Sequence, residues 1–70
     1  MTGSRLEHGL DGLMRELAPA VLATLARRQH SFDICEDAVQ EALLAAARQW
    51  PVDGIPVNPT GWLITAATRR

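Results

Sequence analysis

Lysine and tyrosine are absent from this 70-residue sequence, and cysteine and phenylalanine each occur once. All of the positive charge on side chains therefore comes from seven arginines, and the formal net charge is −1. An autonomous nucleic-acid-binding domain usually carries a clear basic excess, so charge alone gives no reason to expect DNA binding. The single cysteine, Cys35, excludes an internal disulfide and predicts a buried structural thiol in a cytoplasmic protein.

Long apolar runs are also missing. The longest, 42–47, is far too short to cross a membrane, and no charged leader precedes an apolar segment, so no membrane partner is expected. Although 47% of the residues are hydrophobic, alanine supplies much of that share. The core of so short a chain should be thin and its stability marginal.

The residues that usually carry catalysis or bind metals are scarce. His8 and His30 lie far apart, with no cysteine or carboxylate at metal-ligand spacing, and are interpreted as surface histidines. No glycine-rich phosphate loop and no nucleophile motif is present. The sequence therefore predicts neither an enzyme nor a cofactor or metal site.

Apolar residues at spacings of three and four predict a first helix from about Leu6 to the pair Arg27-Arg28, whose charge suits a helix C-terminus. Pro19 lies inside this pattern. Because proline removes a backbone hydrogen bond and clashes with the preceding turn, we expect the helix to be kinked or to break at Leu17-Ala18.

A second helix follows a short connection, 29–32. Asp33, with Glu36 three positions on, resembles the capping box that opens a helix. The helix should stop near Trp50, because Pro51 disfavours helical geometry in the residue before it.

A third helix is predicted after a connection rich in proline and glycine, 51–58. Asn58 is a good N-cap, and Pro59 suits the first helical position. The pattern reaches Arg69-Arg70 without a stop signal, so we expect a truncated helix and a fragment of a longer chain. The predicted fold is all-α, a small array of three helices in a single domain spanning 1–70.

The second helix should have two distinct faces. At about 100° per residue, apolar side chains centred on Ala42 fall on one side and a mostly polar stripe falls on the other. We label the predicted second helix, about 33–50, α2, and its polar stripe, the α2 stripe, comprises Asp37, Gln40, Glu41, Leu44 and Arg48. A leucine within a polar stripe favours a docking face for another protein. The alternative is an ordinary solvated face, since single exposed leucines are common.

Trp62 should lie beside Thr65 and Arg69 on one side of the third helix. A tryptophan next to an arginine suits stacking on an unpaired base and contact with a phosphate. The alternative is that Trp62 packs against Trp50 in a core short of large side chains. A large indole can do both.

Three segments resemble, in order, the motifs of one protein family. The run 36–43 is similar to the E-D-hydrophobic-hydrophobic-Q-E-hydrophobic-hydrophobic motif in region 2 of bacterial RNA polymerase sigma factors, particularly the extracytoplasmic-function group. Upstream, 17–22 resembles the leucine-x-Pro turn of that group's first helix. Downstream, 61–69 resembles its T-W-L-x-x-I-A-R-N segment. Together the three segments span most of the chain.

The resemblance implies a transcription initiation factor domain that docks on core RNA polymerase and contacts the promoter −10 element. The family's residues for docking on the clamp coiled-coil carry over to Asp37, Gln40 and Glu41, and we add Leu44 and Arg48 because they share the α2 stripe. The family's promoter contacts carry over to the following residues: Asn58, Thr60, Trp62, Thr65, Arg69 and Arg70. The stretch before Trp62 departs from the family pattern, since it is short and lacks the usual aromatic and basic residues.

Other partners and functions stay open. The resemblance allows an anti-sigma factor or another regulator as a partner, and the fragment could self-associate weakly. From a different class, the alternative function is a helical protein–protein adaptor or self-associating module without DNA binding. An arginine-rich continuation of the gene, then a linker and a helix-turn-helix, would favour the sigma factor, whereas a stop codon near position 70 would favour the adaptor.

Overall fold

A computed structural model describes residues 4–28 and 31–69, with side chains described from position 9 onward. These residues form three α-helices: α1 (Ser4–Arg28), α2 (Phe32–Asp53) and α3 (Pro59–Arg69). The two described ranges contain no strand, and each helix packs against both others, so the predicted all-α array is confirmed. The side chains of Leu6, His8, His30 and Arg70 lie outside the described residues.

The first helix runs without interruption through Pro19. Proline cannot donate the hydrogen bond that the Arg15 carbonyl would receive, but both residues are exposed, so solvent can hydrate that carbonyl. A kink and a break were the two outcomes expected at Pro19. The break at Leu17-Ala18 is not observed. The expected end at Arg27-Arg28 is confirmed, with both arginines in the last turn.

The second helix begins earlier than predicted. Ser31 is its N-cap, with Oγ accepting a hydrogen bond of 3.4 Å from the Ile34 N–H. The prediction that Asp33 caps the helix with Glu36 is wrong, because the serine already fills that position two residues upstream. Asp33 instead lies in the first turn, where the helix dipole favours a carboxylate.

The predicted stop near Trp50 is also wrong. The second helix includes Pro51 and ends at Asp53. Proline disfavours helical geometry in the residue before it without forbidding it. Here the Gly54 N–H donates to the Trp50 carbonyl at 2.8 Å, which stabilises the last turn around the proline.

Gly54 has φ 93° and ψ 158°, a conformation open essentially only to glycine. A Cβ there would meet nothing within 4 Å, so substitution costs backbone strain alone. Gly54→Ala should therefore lower the free energy of unfolding by about 1 kcal/mol or more.

Gly12 is the matched control, since it lies inside α1 with the same free space around its Cβ position. Gly12→Ala should raise the free energy of unfolding by about 0.5–1 kcal/mol. Urea denaturation measures the free energy of unfolding of both variants. Changes of the same sign would contradict the backbone strain expected at position 54.

The third helix begins as predicted. The Asn58 side-chain oxygen accepts from the Gly61 N–H at 3.1 Å, and the Asn58 carbonyl accepts from the Trp62 N–H at 3.0 Å. Pro59 is the first helical residue, where its missing N–H removes no bond. A Cβ at Gly61 would come within 2.6 Å of the Asn58 amide nitrogen, so glycine there lets the cap close.

The core lies where the three helices meet. Its buried side chains come from all three: Val21, Leu25, Cys35, Ala38, Val39, Ala42, Ala46, Trp50, Leu63 and Ala67. Ala42, at the middle of the predicted apolar face, is 2% exposed, and the predicted buried thiol of Cys35 is confirmed. Small residues along α2 let the neighbouring helices pack closely on it, which turns the opposite face of α2 outward.

Candidate interaction surfaces

The α2 stripe lies on the exposed face of its helix, opposite the core. All five side chains are exposed, as predicted: Asp37, Gln40, Glu41, Leu44 and Arg48. Leu44 is 56% exposed and is surrounded along the helix by carboxylate, amide and guanidinium groups. An apolar centre with a polar rim is the arrangement by which one helix can pack against another protein.

A groove runs beside the α2 stripe that the sequence did not predict. This α1–α2 groove has a volume of about 440 Å³. Its lining comes from both helices: Ala18, Pro19, Leu22, Glu36, Asp37, Val39, Gln40 and Leu43. Asp37 and Gln40 therefore belong to both the stripe and the groove, whereas Glu41, Leu44 and Arg48 lie outside its lining. Because α1 supplies one wall, the periodicity of α2 could not reveal it.

Acidic side chains outnumber basic ones on α2. The helix carries five carboxylates and a single guanidinium, that of Arg48. Four of the carboxylates lie in its first half and are exposed: Asp33, Glu36, Asp37 and Glu41. This end of the surface therefore favours a partner with basic side chains.

A second groove opens along α3, with a volume of about 600 Å³. This α3 groove is lined by Pro56, Asn58, Gly61, Trp62, Thr65, Ala66 and Arg69. It brings together Asn58, Trp62, Thr65 and Arg69, four of the residues to which the family's promoter contacts carry over. Thr60 is half-buried outside the lining, and Arg70 lies outside the described residues.

Three lining residues of the α3 groove were missed by the sequence reasoning: Pro56, Gly61 and Ala66. Ala66 lies four residues after Trp62 on α3, and this spacing could have marked it as a neighbour. Nothing in the sequence pattern placed Pro56 there, because the path of the connection depends on how α2 ends.

Trp62 packs against Trp50, as one of its alternative predictions has it, and the base stacking of the other stays a prediction. Its ring meets the ring of Trp50 edge to face, with centroids 5.4 Å apart and planes 70° apart, and it also lines the α3 groove. Thr65 and Arg69 follow it along the groove, both exposed. An indole, a hydroxyl and a guanidinium in one groove can stack on a base and hold its phosphate.

Within 4–28 and 31–69, no three histidine, cysteine or acidic side chains group closely enough to hold a metal ion. No helix in the described residues has the length and apolar character needed to cross a bilayer.

The residues that line both grooves fall within the range matched by a family model. The family model of Sigma-70 region 2 matches residues 13–70. An uncharacterized protein of Rhizobium meliloti (strain 1021) is 39% identical over 46 residues, which are 66% of this chain. This chain spans only 11% of the length of that relative. No solved structure gives a significant match.

Proposed function

Because this chain belongs to the Sigma-70 region 2 family, we propose that it docks on the clamp coiled-coil of core RNA polymerase through α2 and contacts the promoter −10 element through α3. Membership of the family implies RNA polymerase binding and a role in promoter melting. We further propose that the chain belongs to the extracytoplasmic-function group, because the leucine-x-Pro turn and the segment around Trp62 both resemble that group.

One observation carries the docking proposal. Asp37 and Gln40, which match the family motif, lie exposed on the side of α2 opposite the core and also line the α1–α2 groove. Leu44 supplies an apolar contact one turn further along α2. A helical partner with basic side chains could pack on Leu44 and pair with the carboxylates at the edge.

The promoter proposal depends on the α3 groove. The helix contains no carboxylate, so Arg69 gives this side of the domain a locally positive character that the net charge conceals. Trp62 offers an aromatic surface to an unpaired base, and Arg69 lies two turns further along the same side for a phosphate. A base in this groove would have to be unpaired, because a stacked duplex does not present its base faces.

The docking proposal predicts that Gln40→Ala weakens binding to core RNA polymerase by about 1 kcal/mol, roughly fivefold. The melting temperature should barely move, since exposed substitutions shift stability by about 0.5 kcal/mol or less. Fluorescence anisotropy of the labelled chain, titrated with core polymerase, measures the affinity.

Gln49 offers a matched control on the same helix. It is exposed but lies outside the α2 stripe, so Gln49→Ala should change neither affinity nor melting temperature. Equal polymerase affinity for the two variants would refute the docking face. Loss of binding in both would point to a contact that covers α2 more broadly.

A further inference from the structure

We propose that Trp50 is a positioning residue that holds the Trp62 indole in the orientation needed to stack on an unpaired base. This inference rests on the strand-binding role proposed for the α3 groove. Trp50 is 3% exposed and belongs to the core, whereas Trp62 is half-buried and lines the groove. The Trp50 ring therefore contacts the Trp62 ring from the core side.

The backbone of Trp62 is already fixed by the start of α3. Its N–H donates to the Asn58 carbonyl at 3.0 Å, within the turn that the Asn58 side chain caps. The freedom that remains is rotation of the side chain. On the groove side the neighbours Thr65 and Arg69 are exposed, whereas on the core side the ring of Trp62 meets the ring of Trp50, and this contact restricts the rotation.

The geometry of the contact sets the tilt of the ring as well as its position. The two rings lie 70° from parallel with centroids 5.4 Å apart. An edge-to-face pair is held by attraction between the positive edge of one ring and the negative face of the other. An aliphatic side chain at position 50 would fill part of the space and give no such preference for tilt.

The indole N–H of Trp50 supports this role. It is buried, and it has no hydrogen-bond partner in the part of the chain that the structure describes. A buried donor without a conventional acceptor costs stability, and the face of a neighbouring aromatic ring is a weak acceptor that an edge-to-face contact can supply. The ring of Trp62 is the aromatic neighbour that the Trp50 indole meets edge to face.

A ring held in place before binding gives tighter stacking. The side chain then loses less rotational freedom when a base arrives, and this lost freedom otherwise weakens binding. Trp50 would thereby act on strand affinity without touching the strand.

The test compares Trp50→Phe with Trp50→Leu in the full chain. The sequence contains two tryptophans, so each variant leaves Trp62 as the sole fluorophore. Time-resolved fluorescence anisotropy should show a restrained Trp62 in Trp50→Phe and an added fast rotation in Trp50→Leu. Binding of a short, labelled single-stranded DNA of random sequence at low salt should be about threefold to tenfold weaker for Trp50→Leu than for wild type. For Trp50→Phe it should stay within about twofold, because the ring is kept.

Val21→Ala controls for general loss of core packing, because Val21 is fully buried on α1 and lines neither groove. It should lower the melting temperature without changing strand affinity.

Equal restraint of Trp62 in the two Trp50 variants, or equal strand affinity for Trp50→Leu and wild type, overturns the positioning role while strand binding stands. A wild-type chain that binds no strand overturns the strand-binding role itself. Where Trp50→Leu fails to fold, Trp50→Phe still tests the role: a folded Trp50→Phe variant in which Trp62 gains a fast rotation while strand affinity stays at the wild-type value overturns it.

Discussion

Replacing Leu63 with alanine is expected to lower the free energy of unfolding by about 2–5 kcal/mol. Its side chain is 0% exposed and lies in the core where the three helices meet, so the substitution leaves a cavity. A domain of this length has a total stability of roughly 4–10 kcal/mol, so the loss is a large fraction of the whole. Urea denaturation followed by circular dichroism measures it.

Leu44→Ala is the matched control, because it removes the same atoms from a leucine that is 56% exposed. Stability should change by about 0.5 kcal/mol or less. Polymerase affinity should nevertheless fall, because Leu44 is the apolar centre of the α2 stripe. Similar destabilisation of both variants would show that the stripe is not a free surface, and a Leu63→Ala variant as stable as wild type would show that the core is misplaced.

The third helix and the buried face of α2 could be predicted from the sequence because their signals are local. Asn58 and Pro59 cap and start a helix through bonds within a single turn, and this prediction is confirmed. The helix boundaries at Asp33 and Trp50 were wrong for a related reason. Ser31 competed for the same capping role, and Gly54 stabilised a last turn that Pro51 alone disfavours.

The grooves were less predictable because two parts of the chain form each of them: α1 with α2 in one, and α3 with the connection before it in the other. Gln40 could be placed on the exposed side of α2 from its spacing, but the wall that contains Pro19 comes from α1. Trp62 could be assigned either to the core or to the surface. Its ring contact with Trp50 and its place in the lining of the α3 groove together show that one indole lies against the core and at the surface.

The net charge of the chain was also misleading, because it sums the charges of two different surfaces. The carboxylates are concentrated on α2, whereas α3 has none and ends with Arg69. A value of −1 for the chain is therefore compatible with an acidic docking face and a locally basic groove. Charge should be read helix by helix in a domain whose acidic and basic side chains are concentrated on different helices.

Trp62→Ala is expected to weaken binding of the unpaired non-template strand by about 1–3 kcal/mol, roughly fivefold to 150-fold, because it removes the stacking surface of the α3 groove. Arg69→Gln should act differently. Loss of one phosphate contact lowers the affinity for all sequences alike and reduces the slope of log affinity against log salt by about one.

A labelled non-template strand, titrated against the chain assembled with core RNA polymerase at several salt concentrations, measures both effects. Without polymerase the chain should bind the strand weakly, because it has few cationic contacts. Trp62→Phe is the control, since it keeps an aromatic face beside Trp50 and should retain most of the affinity. Circular dichroism must show that each variant is folded. If a folded Trp62→Ala variant still binds the strand and melts the promoter as the wild type does, Trp62 serves core packing alone and the α3 groove is not a strand-binding site.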